Sequence, residues 1–219
     1  MCGIIIHKNK EKIKQKLVQQ VSRWLDSLWW VKFLNREVQT FKTLWSLEHY
    51  LEEIEKQDFE ELLFVHHRDA SIWKVNRENA HPFVGKKFIL FQNWTAKRFH
   101  FQYFLRYKKQ VDSWNLLEYL EEHAQNIEEI PSLIQKLTHE TWDVFGIVYV
   151  SDSQKNLLYL DWARPSHFSF QENKLEWFAN FCDEWDYGFV HQWHILFRHC
   201  WEIIETNISE FNKEKFIYK

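Results

Sequence analysis

Met1-Cys2-Gly3-Ile4-Ile5-Ile6-His7 opens the chain, and the reading of this stretch decides the rest. Gly3 to His7 is short, β-branched and apolar on both alternating faces, the pattern of a buried strand that starts almost at the chain end. Cys2 is small enough for an aminopeptidase to remove Met1 before it. Removal leaves one residue carrying both a thiol and a free α-amine. An α-amine has an ordinary pKa of about 7.7–8.0, so it takes up a thiol proton near neutral pH, directly or through a water. The thiolate is the attacking form of cysteine. Cys2 is therefore a candidate nucleophile, held in place by the strand that follows it.

Working outward, apolar residues at Ile13, Leu17, Val21, Trp24, Leu25 and Leu28 recur every three or four positions and predict a helix over about 10–31. A second helix is expected over about 44–56, with Leu44, Leu47, Leu51 and Ile54 inward and Glu52, Glu53 and Glu55 outward. Strands are expected at 62–66 and 87–92, with a polar loop from His67 to Asn79 between them. Helices follow at about 114–125 and 131–140, the second opened by Pro131 in its first turn. Residues 144–150 and 156–160 read as a hairpin around Ser151 to Lys155, and 167–170 and 175–179 as further strands. No repeat or linker interrupts the chain. The expectation is one domain over 1–219, of class α+β, with 170–219 a divergent C-terminal extension or a partner-docking segment. Runs of strands and helices in this order suggest stacked layers rather than strict βα alternation.

Composition narrows the function classes. A net charge of -3 over 219 residues leaves no basic footprint for nucleic acid. No run approaches the roughly 20 apolar residues of a membrane span. The apolar start is followed at once by a charged segment, the wrong order for a secretion signal. Cys2, Cys182 and Cys200 are odd in number and widely spaced, against a disulfide framework, so a cytoplasmic protein is expected. His191, His194, His199 and Cys200 lack the ligand set of a zinc site, and neither metal nor cofactor is expected. Aromatic residues reach 18%, with 13 Trp, which builds either a core of large side chains or a partner surface.

The start Met-Cys-Gly-Ile resembles that of the class II glutamine amidotransferases, which are N-terminal-nucleophile hydrolases. Further segments follow in that family's order. His66-His67-Arg68-Asp69-Ala70-Ser71 resembles its His-x-Arg-x-Ala-Thr/Ser segment, and Asn79-Ala80-His81-Pro82-Phe83 its Asn-Ala-His/Gln-Pro-Phe segment. Gln92-Asn93-Trp94 resembles its His-Asn-Gly turn, and Val111-Asp112-Ser113 its Thr/Ser-Asp-Ser/Thr element. Phe145-Gly146-Ile147-Val148 and Asp161-Trp162-Ala163-Arg164-Pro165 are similar to its later hairpin and Arg-Pro turn. The resemblance covers about 1–166 and implies a four-layer αββα sandwich.

The resemblance also implies a substrate, L-glutamine, and a role for each residue. Arg68 offers a planar fork for the α-carboxylate, helped by Ser71, although a salt bridge with Asp69 is the plainer use of it. Asp112 offers a counter-charge for the α-ammonium, or caps the helix that follows it. The Asn93 side chain and the Trp94 backbone N–H supply an oxyanion hole; Asn93 alone would pass as a turn residue. His81 shapes the substrate loop and is not the base, because the α-amine fills that role.

Some positions depart from the family pattern. Trp94 stands where a glycine is usual, Gln92 where a histidine is usual, and Ile72-Trp73 where a His-Gly pair is usual. No Arg-Gly-x-Asp-Ser segment follows the first helix; Arg36 is the nearest arginine. The expected activity is release of ammonia from glutamine through a γ-glutamyl thioester on Cys2. The ammonia would go to a separate synthase subunit docked on the aromatic tail, at Trp185, Trp193 and Trp201. Hydrolysis of another γ-glutamyl or amide compound, and an inactivated binding protein, are the alternatives.

Overall fold

The computed structural model describes residues 3–7, 9–21, 27–34, 37–44, 46–57, 63–68, 75–143, 145–152, 155–160, 166–171, 174–180, 194–199 and 202–206. Strand β1 (Gly3–His7) is buried and lies between two antiparallel neighbours, β4 (Leu63–Arg68) and β10 (Lys174–Asn180). Helix α1 (Lys10–Val21) begins where Asn9 accepts from the Lys12 N–H at 3.0 Å, and it buries Ile13 and Leu17.

The helix ends at Val21, not near residue 31. The chain returns as a hairpin of β2 (Ser27–Leu34) and β3 (Glu37–Leu44). Helical spacing carries Ile13 and Leu17, but from Ser27 the run Leu-Trp-Trp-Val-Lys-Phe-Leu is apolar on consecutive residues. A strand buried on both faces satisfies that run and a one-striped helix does not. Leu28 and Trp30 turn one way and Trp29 the other, all three buried. Helix α2 (Leu47–Lys56) is capped by Ser46, which accepts from His49 N. Its Tyr50 and Ile54 join Ile13, Leu17, Ile5, Leu28, Trp30 and Val65 in one apolar core, so α1 and α2 cover that face of β1, β2 and β4.

The second half of the sheet contains β5 (Phe83–Val84), β6 (Ile89–Asn93), β7 (Ile147–Ser151) and β8 (Lys155–Leu160). Helices α3 (Lys97–Tyr107), α4 (Asp112–His123) and α5 (Ile130–Thr141) cover it, with Leu90, Val148, Val150, Leu116, Leu120, Ile134 and Leu137 in a shared core. Pro131 sits in the first turn of α5. Helix α3 is absent from the sequence reading. Its outward face carries Phe101 and Leu105, 76% and 83% exposed, which hides the usual amphipathic pattern.

Strands β9 (Ser166–Gln171), β11 (His194–His199) and β12 (Glu202–Thr206) complete an antiparallel path β3-β2-β4-β1-β10-β12-β11-β8-β7-β6-β5, with β9 on β10. The two halves join through one pair, Lys174↔Glu202. Elsewhere they meet through side chains: Trp29 stacks on Phe91 with centroids 4.1 Å apart, and Phe64 lies 4.4 Å from Tyr149. The fold is α+β. Among the described residues no helix is long and apolar enough to cross a membrane.

Candidate active site

Alternation along each strand assigns the inner residues. On β3, β2 and β4, Lys42, Trp29 and His66 are cross-strand partners, so they share a face, with Ile4 of β1 next in the row. Two residues along, Arg68 lies opposite Ser27 on the same face. Across from them, β6 presents Phe91 and Asn93. The face that holds the Trp29–Phe91 stack therefore also holds Arg68 and Asn93 near its end.

Arg68 ends β4 and is 6% exposed. His67, expected to open a loop, belongs to the strand, because the Gly3↔His67 and Ser27↔Arg68 pairs extend β4. The Arg68 charge reaches three groups. It lowers the pKa of His66 and His81, and it pulls against the burial that raises the Asp112 carboxyl.

His66 and His81 stand 4.5 Å apart, centroid to centroid. Both rings are buried, and burial is the main cause of pKa values well below the ordinary 6.5; the neighbouring cations add to it. Both are neutral at pH 7. Trp29 Nε1–H donates to His66 Nδ1 at 3.0 Å, which leaves the His66 proton on Nε2. Neither nitrogen of His81 has a hydrogen-bond partner among the described residues.

Asn93 is the last residue of β6, paired with Ile147 of β7, and 2% exposed. Its Nδ2 is buried and makes no hydrogen bond among the described residues. A buried amide donor without an acceptor costs stability, and such groups collect at sites that bind. The Gln92 side chain takes the opposite face and donates to Phe145 O at 3.2 Å. The departure from histidine at 92 therefore falls outside the site. Trp94 is half-buried, and its φ is not positive; the left-handed residue is Gly146, φ 68°. A Cβ there would lie 2.5 Å from Asn93 O and 2.7 Å from Trp94 Cβ.

Asp112 begins α4, where its Oδ2 accepts from Ala96 N at 2.7 Å. Burial raises its pKa, while the N–H groups of Ala96, Ser113 and Asp112 itself oppose the rise. The carboxylate thus ties the chain after Trp94 to the start of α4, a use compatible with a second, ionic one. Cys2 and Ser71 lie outside the described residues, as do Asp69, the Asp161–Pro165 turn and Trp185, Trp193 and Trp201. Among the described residues no cluster of His, Cys, Asp and Glu could hold a metal ion.

No family model matches this sequence, and no curated protein matches it. Solved structures do match. Glutamine phosphoribosylpyrophosphate amidotransferase from B. subtilis superposes with a TM-score of 0.60 at 12% identity, over 82% of this chain and 41% of that one. The allosteric regulatory enzyme of purine biosynthesis gives 0.59 at 12% identity, with the same coverage. A glutamine aminotransferase class-II domain protein from Silicibacter pomeroyi gives 0.50 at 11%, over 91% and 99%. The chain has the class II glutamine amidotransferase fold.

Within this amidotransferase fold the structure brings His81 and Asp112 each within electrostatic reach of Arg68, and the Asn93 amide faces the same interior. The chain spans 41% of the length of the B. subtilis amidotransferase. An open groove of about 740 Å³ lies elsewhere, between the β5–β6 turn and α4, lined by Val84, Lys87, Lys109, Trp114 and Glu121 among others. Its charges are already used: Glu121 accepts from Lys87 N and Phe88 N, and Lys109 pairs with Glu118. Sequence reading missed Lys42, Trp29, Ser27 and the fit of Gly146 against Asn93. The first three sit on β2 and β3; β2 continues a repeat that looks helical and β3 has no decisive pattern, so the cross-strand partners were not visible.

Proposed function

We propose that this protein is a glutaminase that releases ammonia from L-glutamine with Cys2 as N-terminal nucleophile. The observation that carries the reading is the grouping, inside an amidotransferase fold, of the buried Arg68 guanidinium, the Asp112 carboxylate and Asn93 Nδ2, which makes no hydrogen bond among the described residues. Glutamine presents an α-carboxylate, an α-ammonium and a side-chain amide, and these three groups match it. Gly3, the residue after Cys2 in sequence, pairs with His67, the residue before Arg68.

In the proposed mechanism the α-amine takes the Cys2 proton and the sulfur adds to the amide carbon. The oxyanion so formed is held by Asn93 Nδ2 and the Trp94 backbone N–H. The C–N bond then breaks, the ammonium passes its proton to the leaving nitrogen, and ammonia departs from a γ-glutamyl thioester. Water, deprotonated by the same amine, adds to the thioester carbon and expels the thiol, giving glutamate. Arg68 and Ser71 hold the carboxylate, Asp112 the ammonium, and His81 walls the pocket as a neutral ring.

The reading extends to architecture and partners. Helices α1 and α2 cover one half-sheet and α3 to α5 the other, which supports a four-layer αββα sandwich. We take 1–219 as one cytoplasmic domain, with 170–219 as its divergent end and the ammonia passing to a separate synthase.

The test combines intact-mass measurement with a glutamate-release assay. Loss of Met1, one adduct with a glutamine-analogue electrophile, and glutamate release abolished by Cys2→Ser are expected. A chain that keeps Met1, forms no adduct and releases no glutamate is an inactive amidotransferase fold. Turnover of other γ-glutamyl amides but not glutamine assigns a different substrate to the same nucleophile.

A further inference from the structure

Lys42 belongs to no motif of the sequence reading, yet it reaches into the wall of the site. It stands opposite Trp29 on β3, and its Nζ donates to Ala80 O and to Pro82 O, each at 2.8 Å. These carbonyls flank His81. The ring of contacts then closes: His81 lies against His66, His66 accepts from the Trp29 indole, and Trp29 is the cross-strand partner of Lys42.

A buried ammonium is costly unless its charge or its donors are answered. Among the described residues Lys42 has no ion-pair partner, and burial pushes its pKa down to about 8. Its charge acts on His81, as does that of Arg68. A lysine serving stability alone would be better replaced by an apolar residue of the same shape. What an ammonium supplies here, and a methyl group does not, is two charge-assisted bonds to the segment 79–83 and a positive potential beside Arg68.

We propose that Lys42 is a positioning residue that fixes the Ala80–Pro82 carbonyls and so sets the affinity of the Arg68 end of the site for a substrate carboxylate. The affinity half of this rests on the glutaminase reading. The clamp itself does not. Both hydrogen bonds of Lys42 go to the wall around His81, whereas the proposed oxyanion donors lie at the end of β6, so its loss should fall on binding and not on the chemical step.

The experiment compares Lys42→Met, Lys42→Gln and Lys42→Arg with the parent protein by glutamate-release kinetics and by amide hydrogen exchange. With Met, KM should rise about tenfold or more while kcat stays within about threefold, and Arg should recover most of the loss. Exchange at Asn79, Ala80, His81, Phe83 and Val84 should speed up with Met, while 89–93 and 147–151 keep their protection. Should Met prevent folding, Gln, which retains one donor group, is read the same way. Unchanged exchange at 79–84 overturns the clamp whether or not glutamine is a substrate. Faster exchange with unchanged KM, in an active parent, reduces Lys42 to a structural lysine and overturns the positioning role. A parent that hydrolyses no glutamine removes the affinity half along with the glutaminase reading, and the exchange data still decide the clamp.

Discussion

Gly146→Ala is the sharpest test of the oxyanion assignment, because it leaves every proposed functional side chain in place. Gly146 holds φ 68°, and a Cβ there would stand 2.5 Å from Asn93 O and 2.7 Å from Trp94 Cβ. Ordinary contact begins at 3.4 Å, so the end of β6 must withdraw by 0.9 Å, the difference between 3.4 and 2.5. The left-handed backbone costs a residue with a Cβ roughly 1–2 kcal/mol. Crowding in a packed interior adds about 1–3 kcal/mol. At roughly 2–4 °C per kcal/mol for a chain of this size, the melting temperature should fall by about 4–20 °C. A displacement near 1 Å costs on the order of a hundredfold in rate, similar to the loss of one oxyanion donor. Arg68 stands on β4, away from the shift, so KM should stay within about threefold. Steady-state glutamate release, measured below the lowered melting point and with circular dichroism as the folding control, separates the outcomes. A destabilised Gly146→Ala protein with kcat within about threefold of the parent would show that Asn93 and Trp94 do not hold the oxyanion. An unshifted melting point would refute the steric argument itself.

Asp112→Asn keeps an oxygen for Ala96 N but removes the charge, so its KM for glutamine should rise about tenfold or more with little loss of melting temperature; equal KM would leave Asp112 with only its tie to Ala96 N. Trp29→Phe removes the 3.0 Å donor to His66 Nδ1 and keeps the stack on Phe91, so urea unfolding should register a loss of about 1–3 kcal/mol, and no loss would mean that the buried acceptor finds water. For acid stability, the folded pKa values of His66 and His81 lie below 6.5, so near that pH the unfolded chain binds more protons. Stability is then complete above about pH 7.5 and falls below 6.5, by at most about 1.4 kcal/mol per pH unit for each ring. Urea midpoints that agree at pH 7.5 and 5.5 would contradict the burial of neutral rings.

The legible parts of the fold were those whose patterns have one interpretation. Ile4 to Ile6 is too short and too apolar for a helix, and Ser151 to Lys155 has turn chemistry between two apolar runs, as the β7–β8 pairing bears out. Pro131 marks the start of α5 because a missing N–H costs nothing there. The β2–β3 hairpin was not legible because Val21, Trp24, Leu25 and Leu28 satisfy helical spacing as well as any true helix. Helix α3 was hidden for the opposite reason. Phe99, Phe101 and Tyr103 alternate like a strand, and the apolar Phe101 and Leu105 point to solvent. Arg68, Asn93, Asp112 and His81 were nameable from short motifs. Lys42 and Ser27 act through register, a property of two segments at once, which one segment's pattern does not contain.

Trp94 and Gly146 account for the departure that the sequence raised most sharply. A glycine after Asn93 would serve if the turn needed a left-handed residue there, but φ at Trp94 is not positive. The left-handed residue lies across the sheet, at Gly146, one position before the Asn93↔Ile147 pair. Its missing side chain leaves the space that Trp94 fills, for a Cβ at 146 would meet Trp94 Cβ and Cγ at 2.7 and 3.2 Å. Trp94 thus carries no left-handed strain of its own, and its side chain is half-buried. The change from glycine therefore bears on the shape of the proposed pocket, while the two proposed oxyanion donors keep their backbone support.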